Sequence, residues 1–89
     1  MTKAELVRES AKRAGLTIKA TEKVLNAVEE SIKATLGKGD KVVLVGFGTF
    51  AVARRADRTG RDPRTGAAIR IPAHRVPIFR AGKGLKETV

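Results

Sequence analysis

Arg54-Arg55-Ala56-Asp57-Arg58-Thr59-Gly60-Arg61-Asp62-Pro63-Arg64-Thr65-Gly66-Ala67-Ala68-Ile69-Arg70-Ile71-Pro72 is the stretch that decides how this chain folds. From Arg54 to Arg61 its only apolar side chain is Ala56, so this limb has no face to bury against a core. The return limb, Ala67–Pro72, carries Ile69 and Ile71 on one side, as a strand would. Between them, Arg61-Asp62-Pro63-Arg64-Thr65-Gly66 has Pro and Gly at the spacing of a reversing turn. The pattern predicts a two-stranded ribbon over residues 56–72 that projects from a body. Such a ribbon is marginal in water by itself, and charge on both faces of its outgoing limb keeps it off the core. It reads as an arm ordered by a partner. About eight residues per limb, at about 3.3 Å each, give it a reach of roughly 25–30 Å.

Outward from the ribbon, the flanks supply the body. Lys41–Val45 is rich in β-branched residues, Gly46-Phe47-Gly48 reads as a turn, and Thr49–Arg55 resumes as a strand with Phe50 and Val52 on one face. Beyond the ribbon, Arg75–Arg80 reads as a third strand carrying Val76 and Phe79, and Gly82–Thr88 as a short, weak helix, since Gly82 and Gly84 both disfavour one. Upstream, Thr2-Lys3-Ala4-Glu5 is a capping box opening a helix with Leu6, Val7, Ala11 and Ala14 on one side, ended by Gly15. Thr17 caps a longer helix with Ile18, Thr21, Leu25, Val28, Ile32 and Leu36 at helical spacing, stopped by Gly37 and Gly39. The second helix is too apolar and too nearly charge-balanced for the reading helix of a helix-turn-helix. The expected fold class is α+β in one domain over 1–89. It has a helical base (1–40), a three-stranded antiparallel sheet (41–55 and 73–80), the β-ribbon arm (56–72) and a short C-terminal helix (81–89).

Charge is distributed as unevenly as hydropathy. The 89 residues carry 19 Lys plus Arg against 9 Asp plus Glu, a net charge of +10. Residues 1–40 contribute 8 basic and 6 acidic side chains, and residues 41–89 contribute 11 and 3, so the second half holds +8 of the total. Seven arginines (Arg54, Arg55, Arg58, Arg61, Arg64, Arg70, Arg75) face only Asp57 and Asp62 in their own stretch. Their planar, weakly hydrated guanidinium forks suit phosphate and a narrow groove. With no cysteine there is neither a disulfide framework nor a thiolate metal site. The longest apolar run, Val42–Val45, is far too short for a signal core or a membrane span. The composition therefore leads us to expect a soluble intracellular protein with an acidic partner, of which nucleic acid is the commonest. About 70 residues outside the arm make a thinly stabilised core, so two-fold pairing of chains is expected to cover the exposed apolar face and to present two arms.

Gly-Phe-Gly-Thr-Phe (46–50), Arg-Thr-Gly-Arg-Asp-Pro-Arg-Thr-Gly (58–66), Ile-Pro-Ala (71–73), Val-Pro (76–77) and Phe79-Arg80-Ala81-Gly82-Lys83, in this order and spacing, resemble the HU/IHF family of DNA-bending nucleoid proteins. Ile-Pro-Ala…Val-Pro looks closer to the HU branch than to the sequence-preferring IHF subunits. The resemblance implies an intertwined homodimer, or a heterodimer with a paralogue, in which Leu36, Leu44, Phe47, Phe50 and Phe79 are placed in the dimer core. It implies arms that enter the DNA minor groove, Pro63 wedging between base pairs, and backbone amides at Gly46 and Gly48 approaching phosphates. Little sequence specificity, a preference for bent, nicked or cruciform duplex, compaction of the chromosome and a cytoplasmic, nucleoid location follow from it as expectations. Two features depart from the pattern: Asp62 stands where the family usually has Asn, and Ala81 and Gly84 replace the usual Pro and Ala.

The contact candidates are thus Arg54, Arg55, Arg58, Arg61, Pro63, Arg64, Arg70, Arg75, Arg80, Gly46 and Gly48. Lys83, Lys86 and Lys3 divide between phosphate contact and solvated surface. The three phenylalanines, Phe47, Phe50 and Phe79, sit among Val and Leu at strand positions. They read as packing residues, with stacking platforms for single strands as the other possibility. No catalytic set is legible: His74 is the single histidine and reads as a surface residue, and Asp57 with Asp62, the one imaginable acid–base or metal pair, lies among arginines. No cofactor and no metal is expected. Two other functions fit part of the pattern: an IHF-like site-specific bender, and an RNA-binding structural protein, which the same charge and extended arm would suit.

Overall fold

The computed structural model describes residues 1–56 and 58–89; of Arg58 and Ile71 it describes the backbone. The residues group into two units, Met1–Ala34 and Thr35–Val89.

In the first unit, helix α1 (Lys3–Ala14) starts where the Thr2 hydroxyl accepts the Glu5 N–H (3.3 Å), the hydroxyl half of the capping box. It ends at Gly15, whose φ of 69° is the left-handed value that glycine alone adopts without penalty. The Leu16 N–H then closes back on the Ala11 carbonyl at 3.0 Å. Helix α2 (Ile18–Gly37), whose last turn belongs to the second unit, is capped by Thr17, whose hydroxyl accepts the Ala20 N–H at 3.1 Å. Val7, Ala11 and Thr21 are buried, the Thr21 hydroxyl donating to the Thr17 carbonyl (2.8 Å) so that no polar atom is orphaned. Lys3 ties the start of α1 to α2 through Asn26 (2.7 Å) and Glu29 (3.0 Å). Gly37 is the last residue of α2 rather than its stop; Gly39, at φ 82°, makes the turn.

In the second unit a three-stranded antiparallel sheet has the order β1 (Val42–Leu44), β2 (Gly48–Arg55), β5 (His74–Ala81). The β1–β2 turn is Val45-Gly46-Phe47, one residue earlier than its glycines suggest. The Phe47 N–H bonds the Leu44 carbonyl (2.9 Å), and Gly46 at φ 83° takes the third turn position, as a type II turn requires. Gly48 belongs to the strand because the Phe79 ring lies over it. A Cβ there would run into Phe79 Cζ and stand 2.8 Å from the Arg80 carbonyl oxygen. In the register, Phe50 faces Phe79, Val52 faces Pro77 and Val42 faces Phe50, so these share one side of the sheet.

Helix α3 (Lys83–Thr88) forms in spite of its glycines. A Cβ on Gly84 would stand 2.6 Å from the Gly46 carbonyl oxygen, and the Gly82 N–H donates to Phe47 at 2.7 Å. Close backbone approach to the β1–β2 turn thus requires small residues here and outweighs the roughly 1 kcal/mol of lost helix propensity. Strands β3 (Arg58–Arg61) and β4 (Ala68–Ile71) form a separate two-stranded antiparallel ribbon. Its four register pairs run from Arg58↔Ile71 to Arg61↔Ala68, about 10 Å along the strands, and the turn over Asp62–Ala67 extends the ribbon beyond them. Among the described residues no helix is long and apolar enough to cross a membrane.

Candidate nucleic-acid interface

Register decides which cations stand together. Arg54 and Arg55 end β2 opposite Arg75 and His74 of β5, so alternation sends Arg54 and Arg75 to one face and Arg55 and His74 to the other. In the ribbon, Thr59 faces Arg70 and Arg61 faces Ala68, which puts Arg61 and Arg70 on one face. Arg58 pairs with Ile71 along the backbone. Arg54, Arg55, Arg61, Arg64, Arg70, Arg75 and Arg80 are all exposed. Desolvation therefore costs them little until a polyanion approaches, and their fields add. The arginine-rich stretch holds two carboxylates, of which Asp57 lies outside the described residues.

The ribbon's tip is closed by its own polar groups. The Asp62 N–H donates to the Ala67 carbonyl and the Gly66 N–H to the Asp62 carbonyl, both at 2.8 Å, with Gly66 at φ 71°. The Asp62 carboxylate accepts the Arg64 N–H at 2.8 Å, an Asx turn that spans Pro63. The Arg61 guanidinium reaches the Gly66 carbonyl at 3.4 Å. Pro63, without an N–H to satisfy, is exposed at this apex. Asp62 is therefore a structural part of the tip as well as a charge beside it.

The remaining candidates are distributed over both units. Arg80 faces Thr49 and is exposed, and Lys83 and Lys86 lie three residues apart on α3, hence on neighbouring positions of its surface. Lys3 is exposed but already engaged by Glu29 and Asn26. Gly46 and Gly48 have conformational and packing reasons of their own. Phe47 and Phe79 (ring centroids 5.7 Å) and Phe50 and Phe79 (4.8 Å) form one tilted aromatic cluster. A single chain does not enclose it: Phe47 stays 49% exposed, Phe79 42% and Leu44 42%, whereas Leu36 and Phe50 are half-buried. Buried apolar side chains among the described residues are Val7 and Ala11. His74, which reads from sequence as a surface residue, is exposed, and the strand register sets it opposite Arg55, a pairing the sequence does not display.

Comparison with known proteins places the fold and the family. Residues 1–89 match the family described as bacterial DNA-binding protein. The chain is 51% identical over 89 residues to DNA-binding protein HU of Staphylococcus aureus (strain COL), covering 100% of this chain and 99% of that one. It is 52% identical over 89 residues to DNA-binding protein HU of Clostridium pasteurianum, covering 100% and 98%. Among solved structures, HU from Anabaena in a cocrystal with DNA superposes with a TM-score of 0.95 at 46% identity, covering 99% of this chain and 96% of that one. HU from Thermotoga maritima gives 0.71 at 35%, covering 99% and 97%. With a match that runs from the first residue to the last, onto a family of DNA-binding proteins and not of enzymes, the chain belongs to the bacterial DNA-binding protein family, alongside the HU proteins.

Proposed function

We propose that two copies of this chain form an architectural clamp that binds duplex DNA with little regard to sequence, bends it and compacts it in the nucleoid. The observation that carries this reading is the ribbon: exposed arginines on both limbs lead to a closed tip with Pro63 at its apex. The minor-groove edge is nearly degenerate, and its negative potential attracts Arg, so arms placed there gain affinity and little base identity. HU proteins bind the minor groove and bend DNA with apolar wedges, and Pro63 is assigned that role here by likeness to them. Pro63 enters a base step without leaving a donor unpaired; unstacking costs a few kcal/mol, offset by contacts the bent duplex makes with Arg54, Arg55, Arg75, Arg80, Lys83 and Lys86. A DNA cocrystal of a relative at 46% identity supports DNA as the ligand.

Pairing rests on the apolar surface of the second unit. Phe47, Phe79 and Leu44 remain 42–49% exposed. Covering them with the same face of a second copy gains roughly 1 kcal/mol per side chain, summed over both copies. The test is a gel-shift and fluorescence-bending series on linear, nicked and cruciform duplex with RNA competitor. Excising residues 56–72 is expected to abolish tight binding, and Pro63→Ala to lower bending and the preference for nicked duplex. Equal grip without the ribbon refutes the clamp. Preference for A-form RNA, whose shallow minor groove suits no probing ribbon, or a single tight footprint, replaces this reading with the RNA-binding or site-specific one.

A further inference from the structure

We propose that the depression between Arg55 and His74, at the root of the ribbon, takes a backbone phosphodiester of the duplex together with a proton. The inference rests on the duplex-binding reading above and assigns His74 a role in it. The depression has a volume of about 610 Å³ and is lined by Arg55, Ala56, His74 and Val76. Arg55 closes β2 and His74 opens β5 as its register partner, so both side chains rise from one face. Directly opposed residues have Cβ atoms about 4.5–5.5 Å apart, where two like charges repel and an anion between them reverses the sign.

Ring chemistry fixes which nitrogen takes the proton. His74 Nδ1 lies 3.0 Å from the Pro72 carbonyl oxygen. A carbonyl only accepts, so that contact places the ring hydrogen on Nδ1 and leaves Nε2 as the basic position. Protonation at Nε2 preserves the Pro72 bond and adds a second cationic donor beside the Arg55 fork. Among the described residues the charged groups nearby are cationic: Arg55 from β2 on the same face, and Arg54 and Arg75 on the opposite face of the same ladder. Among the described residues no carboxylate lines it.

The sign of the linkage follows. A phosphate favours the imidazolium, so the titration midpoint with duplex bound lies above the midpoint without it. The added affinity is full below the free midpoint and is lost as pH rises through the bound one. Because His74 is the only histidine, its ring Cε1–H gives one NMR resonance, followed here in the full chain from pH 5 to 8. Three samples are needed: no ligand, saturating nicked duplex, and inorganic phosphate at matched ionic strength. Duplex is expected to raise the midpoint by about one pH unit, a tenfold linked gain per site, and inorganic phosphate to raise it far less. In binding assays His74→Gln loses the gain at pH 5.5 over pH 8, and His74→Lys holds the gain at both. Identical midpoints with and without duplex, an equal shift with inorganic phosphate, or an undiminished pH dependence in His74→Gln each overturns this site while duplex binding stands. Failure of the unaltered protein to bind duplex at pH 8 sinks the functional reading and the site together.

Discussion

Asp62 does two opposed things at the ribbon tip, and two substitutions separate them. Its carboxylate accepts the Arg64 N–H at 2.8 Å and so holds the turn around Pro63. In the proposed clamp the same carboxylate sets a negative charge beside the DNA phosphates. Asparagine keeps an oxygen for the Arg64 N–H and removes the charge; alanine removes both. A unit charge about 7 Å from a phosphate is worth roughly 0.6 kcal/mol in water and roughly a quarter of a kcal/mol after screening at physiological salt. Over two tips, Asp62→Asn is therefore expected to tighten binding about twofold at physiological salt and about sevenfold at low salt. The Asx bond contributes about 1 kcal/mol net per tip. Asp62→Ala should accordingly bind about thirtyfold more weakly than Asp62→Asn, and about tenfold more weakly than the parent at physiological salt. Fluorescence anisotropy on a nicked duplex at two salt concentrations measures all three proteins. Equal affinities for the Asn and Ala variants would refute the preorganised tip, and weaker binding by Asp62→Asn would refute the repulsion.

The remaining expectations concern stability, assembly and charge. Gly48→Ala drives a methyl into the Phe79 ring and the Arg80 carbonyl; it should cost about 1–3 kcal/mol in chemical denaturation, whereas Gly37→Ala, with nothing within 4 Å of its added carbon, should not destabilise. Phe79→Ala removes the ring shared by Phe47 and Phe50; sedimentation should find the dimer weakened by about 2 kcal/mol, roughly 1 kcal/mol per copy, and an unchanged dimer would remove the aromatic face from the interface. Replacing Arg61 and Arg64 together by Ala should flatten the dependence of log K on log salt by about 3 to 4 for two arms, at about 0.9 per phosphate contact. An unaltered slope would take both residues off the phosphates.

The sequence alone determined whatever depends on near neighbours and on totals. Thr2, Thr17 and Gly15 announce helix ends because a cap is satisfied within a turn of the chain. The arginine-rich limb excludes itself from a core by composition, and a net charge of +10 with no cysteine excludes whole classes of chemistry. The tertiary structure decided what depends on register, since a slip of one residue exchanges the faces of a strand and leaves the hydropathy pattern unchanged. Only pairing sets His74 against Arg55, places Arg61 with Arg70, and lays the Phe79 ring over Gly48. Gly84 reads from sequence as a weakness in a helix and in three dimensions is the room that the Gly46 carbonyl requires. Periodicity marks Phe47 and Phe79 as packing residues; the folded chain leaves them half exposed, because a core this small does not enclose them.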